Sequence, residues 1–167
     1  ADLAALSTAA VKGLSSAGMA ALSADALGAM GTAQLAALGT AQVRAIDADD
    51  LGALGTAQIA NLGTAQVAAL TTAQVEALNA TQLGALTTGA AGQIAALGTA
   101  QLRAIAADEL ATLGTAAFTS LTTAQIAALG TDQAAAMETA DLAQLGSAQI
   151  RALGTQALAA MDGTQIA

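Results

Sequence analysis

Leu54-Gly55-Thr56-Ala57-Gln58-Ile59-Ala60-Asn61 is followed at once by Leu62-Gly63-Thr64-Ala65-Gln66-Val67-Ala68-Ala69. The two stretches are copies of one eight-residue unit, and nearly the whole chain repeats it. Numbering the unit from its Leu, the large apolar residues stand at positions one and six. A continuous α-helix turns about 800° in eight residues, so the Leu would drift around the rod by roughly 80° per copy. A strand would send positions one and six to opposite faces. A short helix that restarts in every octad leaves position six three residues before the next Leu, on the same face. The expected fold is therefore all-α, a solenoid of very short helices with one helix per octad.

Local chemistry supports the restart. Position two is Gly, Thr, Ser, Asp or Asn in most copies, all acceptable N-caps. Three residues later stands Gln, Asp or Glu, as in Thr71 to Gln74, Asn79 to Gln82 and Asp47 to Asp50. That spacing matches a capping box, with the Leu before the cap and the apolar residue at position six spaced as a hydrophobic staple. A Gly at position two is also able to end the preceding helix by adopting a positive φ. The expected unit is a helix of roughly six or seven residues and a corner of one or two. Charge placement agrees. Of the twelve acids, all but Glu76 fall at positions two, four or five, Asp2 among them, and all four bases, Lys12, Arg44, Arg103 and Arg151, fall at position seven. Helix dipoles favour acids at the start and bases at the end.

Octads begin at Leu6 and run in register to Ala85, resume at Leu97, and break off within Met161–Ala167. The unit between, Leu86–Ala96, carries three extra residues between its cap and Gln93. Ile94-Ala95-Ala96-Leu97 restores the spacing at once, so residues 1–167 read as a single repeat domain with a longer helix or a bulged corner at 86–96. The first three octads lack the Gln, with Ala10, Gly18 and Ala26 in its place, which suits a capping edge of the array or a boundary with a neighbouring domain. Two large apolar side chains cannot offset the ordering of eight residues, so octads must stack to be stable.

Composition narrows the function. The apolar residues are spread too thinly for the 18 or so consecutive positions that span a bilayer, so membrane insertion is not expected. A formal charge of −8 argues against nucleic acid and anionic membrane surfaces. No signal peptide is visible, and the first residue, Ala, suits a mature or excised fragment. The chain has no Cys, His, Tyr or Trp and one Phe, so thiolate chemistry, a His base and aromatic cages are missing. No enzyme activity and no cofactor are expected.

Three features are candidate sites. Asp47, Asp49 and Asp50 are weak calcium candidates, since paired carboxylates suit an oxygen-loving ion. Helix N-terminal placement explains the same acids without a metal, and a loop of the EF-hand kind is absent. The Thr column at position three (Thr32, Thr40, Thr56, Thr64, Thr72, Thr99, Thr115 and Thr123) offers a hydroxyl array for ice or glycan. Gln at position five is placed for a ladder between coils, although capping already accounts for it.

Units such as Leu70-Thr71-Thr72-Ala73-Gln74-Val75 and Leu121-Thr122-Thr123-Ala124-Gln125-Ile126 resemble the Leu-Thr-x-x-Gln-(Ile/Val) tracts of large secreted bacterial surface proteins and RTX-type adhesins. The resemblance implies an extracellular or cell-surface location. It also implies a structural role, as a segment of a filament, matrix or adhesin that associates with itself or with neighbouring repeats. The alternative is a binding module whose repeat face grips glycan, ice or peptide.

Overall fold

The computed structural model describes residues 3–166, so Asp2, one of the acids assigned to a helix start, lies outside the described residues. Among the described residues a 3-10 turn at Leu3–Ala5 precedes twenty short α-helices, including Thr40–Arg44, Thr56–Ala60, Thr64–Ala69 and Thr72–Glu76. The solenoid of short helices is therefore realised, one helix to each octad from Leu6 onward. The helices are shorter than the octad spacing suggests, at four to six residues, because the corner takes up both position one and the cap.

Each corner follows one plan. The position-two residue is the N-cap with extended backbone, φ −73° and ψ 159° at Gly39, φ −75° and ψ 162° at Thr71. The positive-φ role expected for these glycines is not used. Gly89 alone has positive φ among the described residues, and it lies in the insertion. The helix closes through position one, whose N–H donates to the position-six carbonyl three residues back, as Leu38 does to Leu35 at 3.1 Å.

The solenoid axis is lined by the two apolar positions. Val11, Leu35, Val43, Leu51, Ile59, Val67 and Val75, all at position six, have no exposed surface, and the position-one residues from Met30 to Leu86 are buried beside them. Each such side chain contributes roughly 1.5–3 kcal/mol. Each helix up to Thr139–Gln144 packs on the helix three places further along, as Thr40–Arg44 does on Thr64–Ala69, so the main contacts connect neighbouring coils.

The insertion is a bulged corner. The helix that follows it, Gln93–Ala96, is shorter than its neighbours, not longer. Its capping box survives with the two partners six residues apart. The Thr87 N–H donates to Gln93 Oε1 at 2.8 Å, and the Gln93 N–H to Thr87 Oγ1 at 3.0 Å. Residues Thr88–Gly92 loop out between them. Gly89 turns with φ 94°, and its N–H donates to Ser120 Oγ on the next coil at 2.6 Å. Gly92 is required by contact, since a Cβ there would lie 2.5 Å from the Thr88 carbonyl oxygen.

Candidate interaction surfaces

The feature that organises every surface is the glutamine at position five, and capping accounts for only half of its amide. In Gln74 the Oε1 accepts from the Thr71 N–H at 2.9 Å, completing the capping box, for Thr71 Oγ1 accepts from the Gln74 N–H at 3.1 Å. The Nε2 faces the other way. It donates at 2.8 Å to the carbonyls of both Val43 and Ile46, which lie 31 and 28 residues earlier on the preceding coil. The same pair of offsets recurs at Gln42, Gln66, Gln125 and Gln133. At Gln93 and Gln101 the offsets become 34 and 31, longer by the three inserted residues, so the ladder runs past the bulge without losing a partner. Most of these amides are buried, Gln74 to 1 % exposure. The position-six carbonyl already accepts a backbone N–H, as Val43 accepts from Ile46 at 3.2 Å, and uses its second lone pair for the amide, whereas the position-one carbonyl, as at Ile46, is met by the amide alone. Where the cap is Gly, as at Gly39, only the Gln half of the box forms, at 2.7 Å.

The ladder measures the coil. A turn closes between 28 and 31 residues back, a little under four octads, so each helix sits over a corner and part of the next helix. Equivalent positions therefore creep around the axis from coil to coil. The Thr column is exposed at Thr40, Thr56, Thr64, Thr72, Thr99 and Thr123 but half-buried at Thr32 and Thr115, and it winds around the solenoid without forming one flat face.

The acids occupy caps and first turns. Asp47 is an N-cap whose Oδ1 accepts from the Asp49 N–H at 3.0 Å, Asp49 is exposed, and Asp50 takes the glutamine position half-buried. Among the described residues no three acids converge on a point where they could hold a metal ion. Asp162 Oδ1 accepts from the Thr164 hydroxyl and from the Thr164 and Gln165 N–H groups, and these bonds hold its carboxyl below the ordinary value of 3.8. Glu109 also stands where the ladder expects an amide. Burial, then the neighbouring Asp108 charge, pushes its carboxyl above the ordinary 4.5.

The two ends of the array differ. Ala10, Gly18 and Ala26 give the N-terminal coil no ladder donor, and its Leu6, Leu14 and Leu22 are only partly buried against the core. At the other end Ile150 and Leu158 are each 40 % exposed, although interior residues at their position are fully covered. Together with Leu142, Leu153 and Met161 they line an open apolar groove of about 300 Å³. The last ladder donor, Gln165, reaches back to the Ala135 and Met137 carbonyls. Carbonyls from Leu142 onward are met by no glutamine among the described residues. No helix of the described residues is long and apolar enough to cross a membrane.

The family model of the ALTTAQ repeat matches residues 1–32, 27–64, 43–80, 56–88, 104–137 and 134–167. The matches pause between 88 and 104, across the bulge and the octad after it. No curated protein and no solved structure matches the chain.

Proposed function

This chain belongs to the ALTTAQ-repeat family, and from that premise we propose that it is a structural segment working by assembly rather than by chemistry. Its context is an extracellular or cell-surface filament, matrix or adhesin of the kind its octads resemble. The observation that supports the reading is the C-terminal face of the described coils, which offers apolar side chains and unmatched carbonyls to whichever coil follows, in this chain or in another. That combination is what every interior coil presents to the coil stacked upon it. A neighbouring coil of the same repeat, bringing amides at position five, completes the face. Burying the two exposed side chains at about 25 cal/mol per Å² favours association, and the −8 charge opposes it only within a screening distance of roughly 8 Å.

The N-terminal coil of a second copy can cover the apolar surface but brings no amides. Self-association of this chain should therefore be weak, and strengthened by installing the missing donors. Sedimentation and electron microscopy of the chain across salt concentrations, beside the triple variant Ala10→Gln, Gly18→Gln and Ala26→Gln, test this. End-to-end oligomers that lengthen in the variant are expected. A chain and variant that both stay monomeric at high concentration would overturn the assembly reading and favour a binding module. Exposed Thr hydroxyls are the observation that keeps that second reading, for glycan or ice, in view.

A further inference from the structure

Five interior octads lack the ladder amide; Asp50, Glu109 and Asp141 put a carboxyl group in its place, and two octads put only a methyl there. Ala117 and Ala157 stand at position five, inside the array, with a coil before them to receive an amide. The register set by Gln101 and Gln125 puts Ala117 opposite the carbonyls of Leu83 and Leu86. That set by Gln149, which donates to Phe118 and Leu121, puts Ala157 opposite Ile126 and Leu129.

The space left by the missing side chain is visible at both places. A cavity of about 200 Å³ beside Ala117 is lined by Leu83, Leu86, Gly114 and Ala116, with Thr88 of the bulge as a further wall. A larger open groove of about 510 Å³ lies beside Ala157, between Ala127, Leu129 and Gln156. The cap glycines agree. A Cβ built on Gly39, Gly55, Gly98 or Gly146 meets the ladder oxygen Oε1 at 3.2–3.6 Å, whereas one built on Gly114 or Gly154 meets nothing within 4 Å.

We propose that these gaps are binding slots for a primary carboxamide, the Ala117 slot being the better enclosed. Leu83, Leu86 and Gly114 all line the Ala117 cavity, and they bear the groups that twelve glutamine side chains satisfy elsewhere in this chain, two carbonyl acceptors on one coil and one N–H on the next; of the equivalent residues Leu129 lines the Ala157 groove. A carboxamide is the neutral group that donates twice from nitrogen and accepts at oxygen. A carboxylate lacks the donors, and an ammonium lacks the acceptor. The Ala117 cavity exceeds the ~150 Å³ void that admits benzene in a designed apolar core, so a small amide has room. The ligand is a free small amide or the Gln or Asn side chain of a bound peptide. The chemistry is the same for both.

Titration of the full chain with propionamide, followed through the backbone amide resonances of Gly114 and Gly154, tests the proposal. A saturable shift at Gly114 is expected, at least tenfold weaker with N,N-dimethylpropionamide and with propionate. Ala117→Gln, which carries its own amide, should abolish the Gly114 response and leave that of Gly154. Ala157→Gln should do the reverse. A capped glutamine peptide binding at least tenfold more tightly than propionamide would assign the slot to a partner's side chain, and equal binding to free amides. No saturable shift, or an undiminished response to the dimethyl analogue or in the filled variant, would overturn the slots.

Discussion

At the scale of the residue, the octad's most informative member is the least hydrophobic of its recurrent large side chains. A Gln at position five ties the start of its own helix to the end of a helix one coil earlier, so removing it strands the cap N–H and the buried position-one carbonyl and takes the second partner from the position-six carbonyl. Gln74→Ala should cost about 2–4 kcal/mol, from unmet hydrogen-bonding groups in a buried site. Gln58, which is half-buried and makes longer bonds to Leu27 and Gly28, should cost less when changed in the same way. Denaturant titration of both variants checks the order. Glu109 is nature's version of the experiment. Its raised carboxyl pKa means that the folded state holds the proton more tightly than the unfolded chain does. Its unfavourable contribution is therefore absent below the ordinary value of 4.5 and sets in as pH rises through the raised one. Glu109→Gln should accordingly gain stability relative to the parent between acid and neutral pH, and unfolding midpoints followed from pH 4 to 7 would reveal it. Asp162 acts in the opposite sense, helping above pH 3.8 and losing its effect as pH falls below it. The cap position is more tolerant. A Cβ on Gly55 meets only Gln58 Oε1 at 3.4 Å, and the backbone is already extended as at Thr71. Gly55→Thr should raise stability by roughly 0.5–1 kcal/mol through the added cap and a stiffer unfolded chain, readable as a higher melting temperature.

Among the elements, what the sequence makes legible is whatever repeats locally. Cap, N3 residue and apolar pair lie within eight residues of one another, so the break at Gly39, Gly55, Gly63 and Thr71 and the shared face of positions one and six can be read directly. The coil length cannot. It is set by the Nε2 bonds over 28 and 31 residues, and the same Gln is explained just as well by a cap with no ladder at all. The ends of the amide look alike in sequence. Only a structure shows them bonding in opposite directions. The slots escaped for the same reason, because Ala117 and Ala157 read as ordinary alanines until a ladder exists for them to interrupt. The insertion was visible as three surplus residues, but its anchor was not. Ser120, at position eight on the next coil, accepts from the Gly89 N–H and donates its own hydroxyl to the Ala116 carbonyl at 2.5 Å. Ser120→Ala should speed hydrogen exchange at Gly89 while leaving Gln93 protected, because the capping box with Thr87 is independent of it. Gly92→Ala is harsher, forcing a Cβ against two carbonyl oxygens at 2.5 and 2.6 Å, and should cost roughly 1–3 kcal/mol in an equilibrium unfolding experiment.

For the whole molecule, the decisive fact is how near every contact lies along the chain. Inter-coil bonds reach no further than 34 residues even across the bulge, so the array behaves as a line of nearest neighbours. Removing a terminal coil should lower the unfolding midpoint by a modest step without unfolding the remainder. Circular dichroism on chains shortened from the C-terminus one coil at a time measures that step, and collapse of the whole fold on losing a single coil would contradict it. The ladder also has a direction. Its bonds run along the solenoid axis from each coil to the one before, and a pull on the two chain ends loads them in series. Tension would then open the weakest rung first and pay out one coil before the next is challenged. Each event would release 28 to 31 residues, a contour of about 90–110 Å when fully extended. Held under load, such a segment lengthens in equal strokes and keeps a nearly constant resisting force, and slackening lets the coils wind back: a yielding tether, with glutamines as its ratchet teeth.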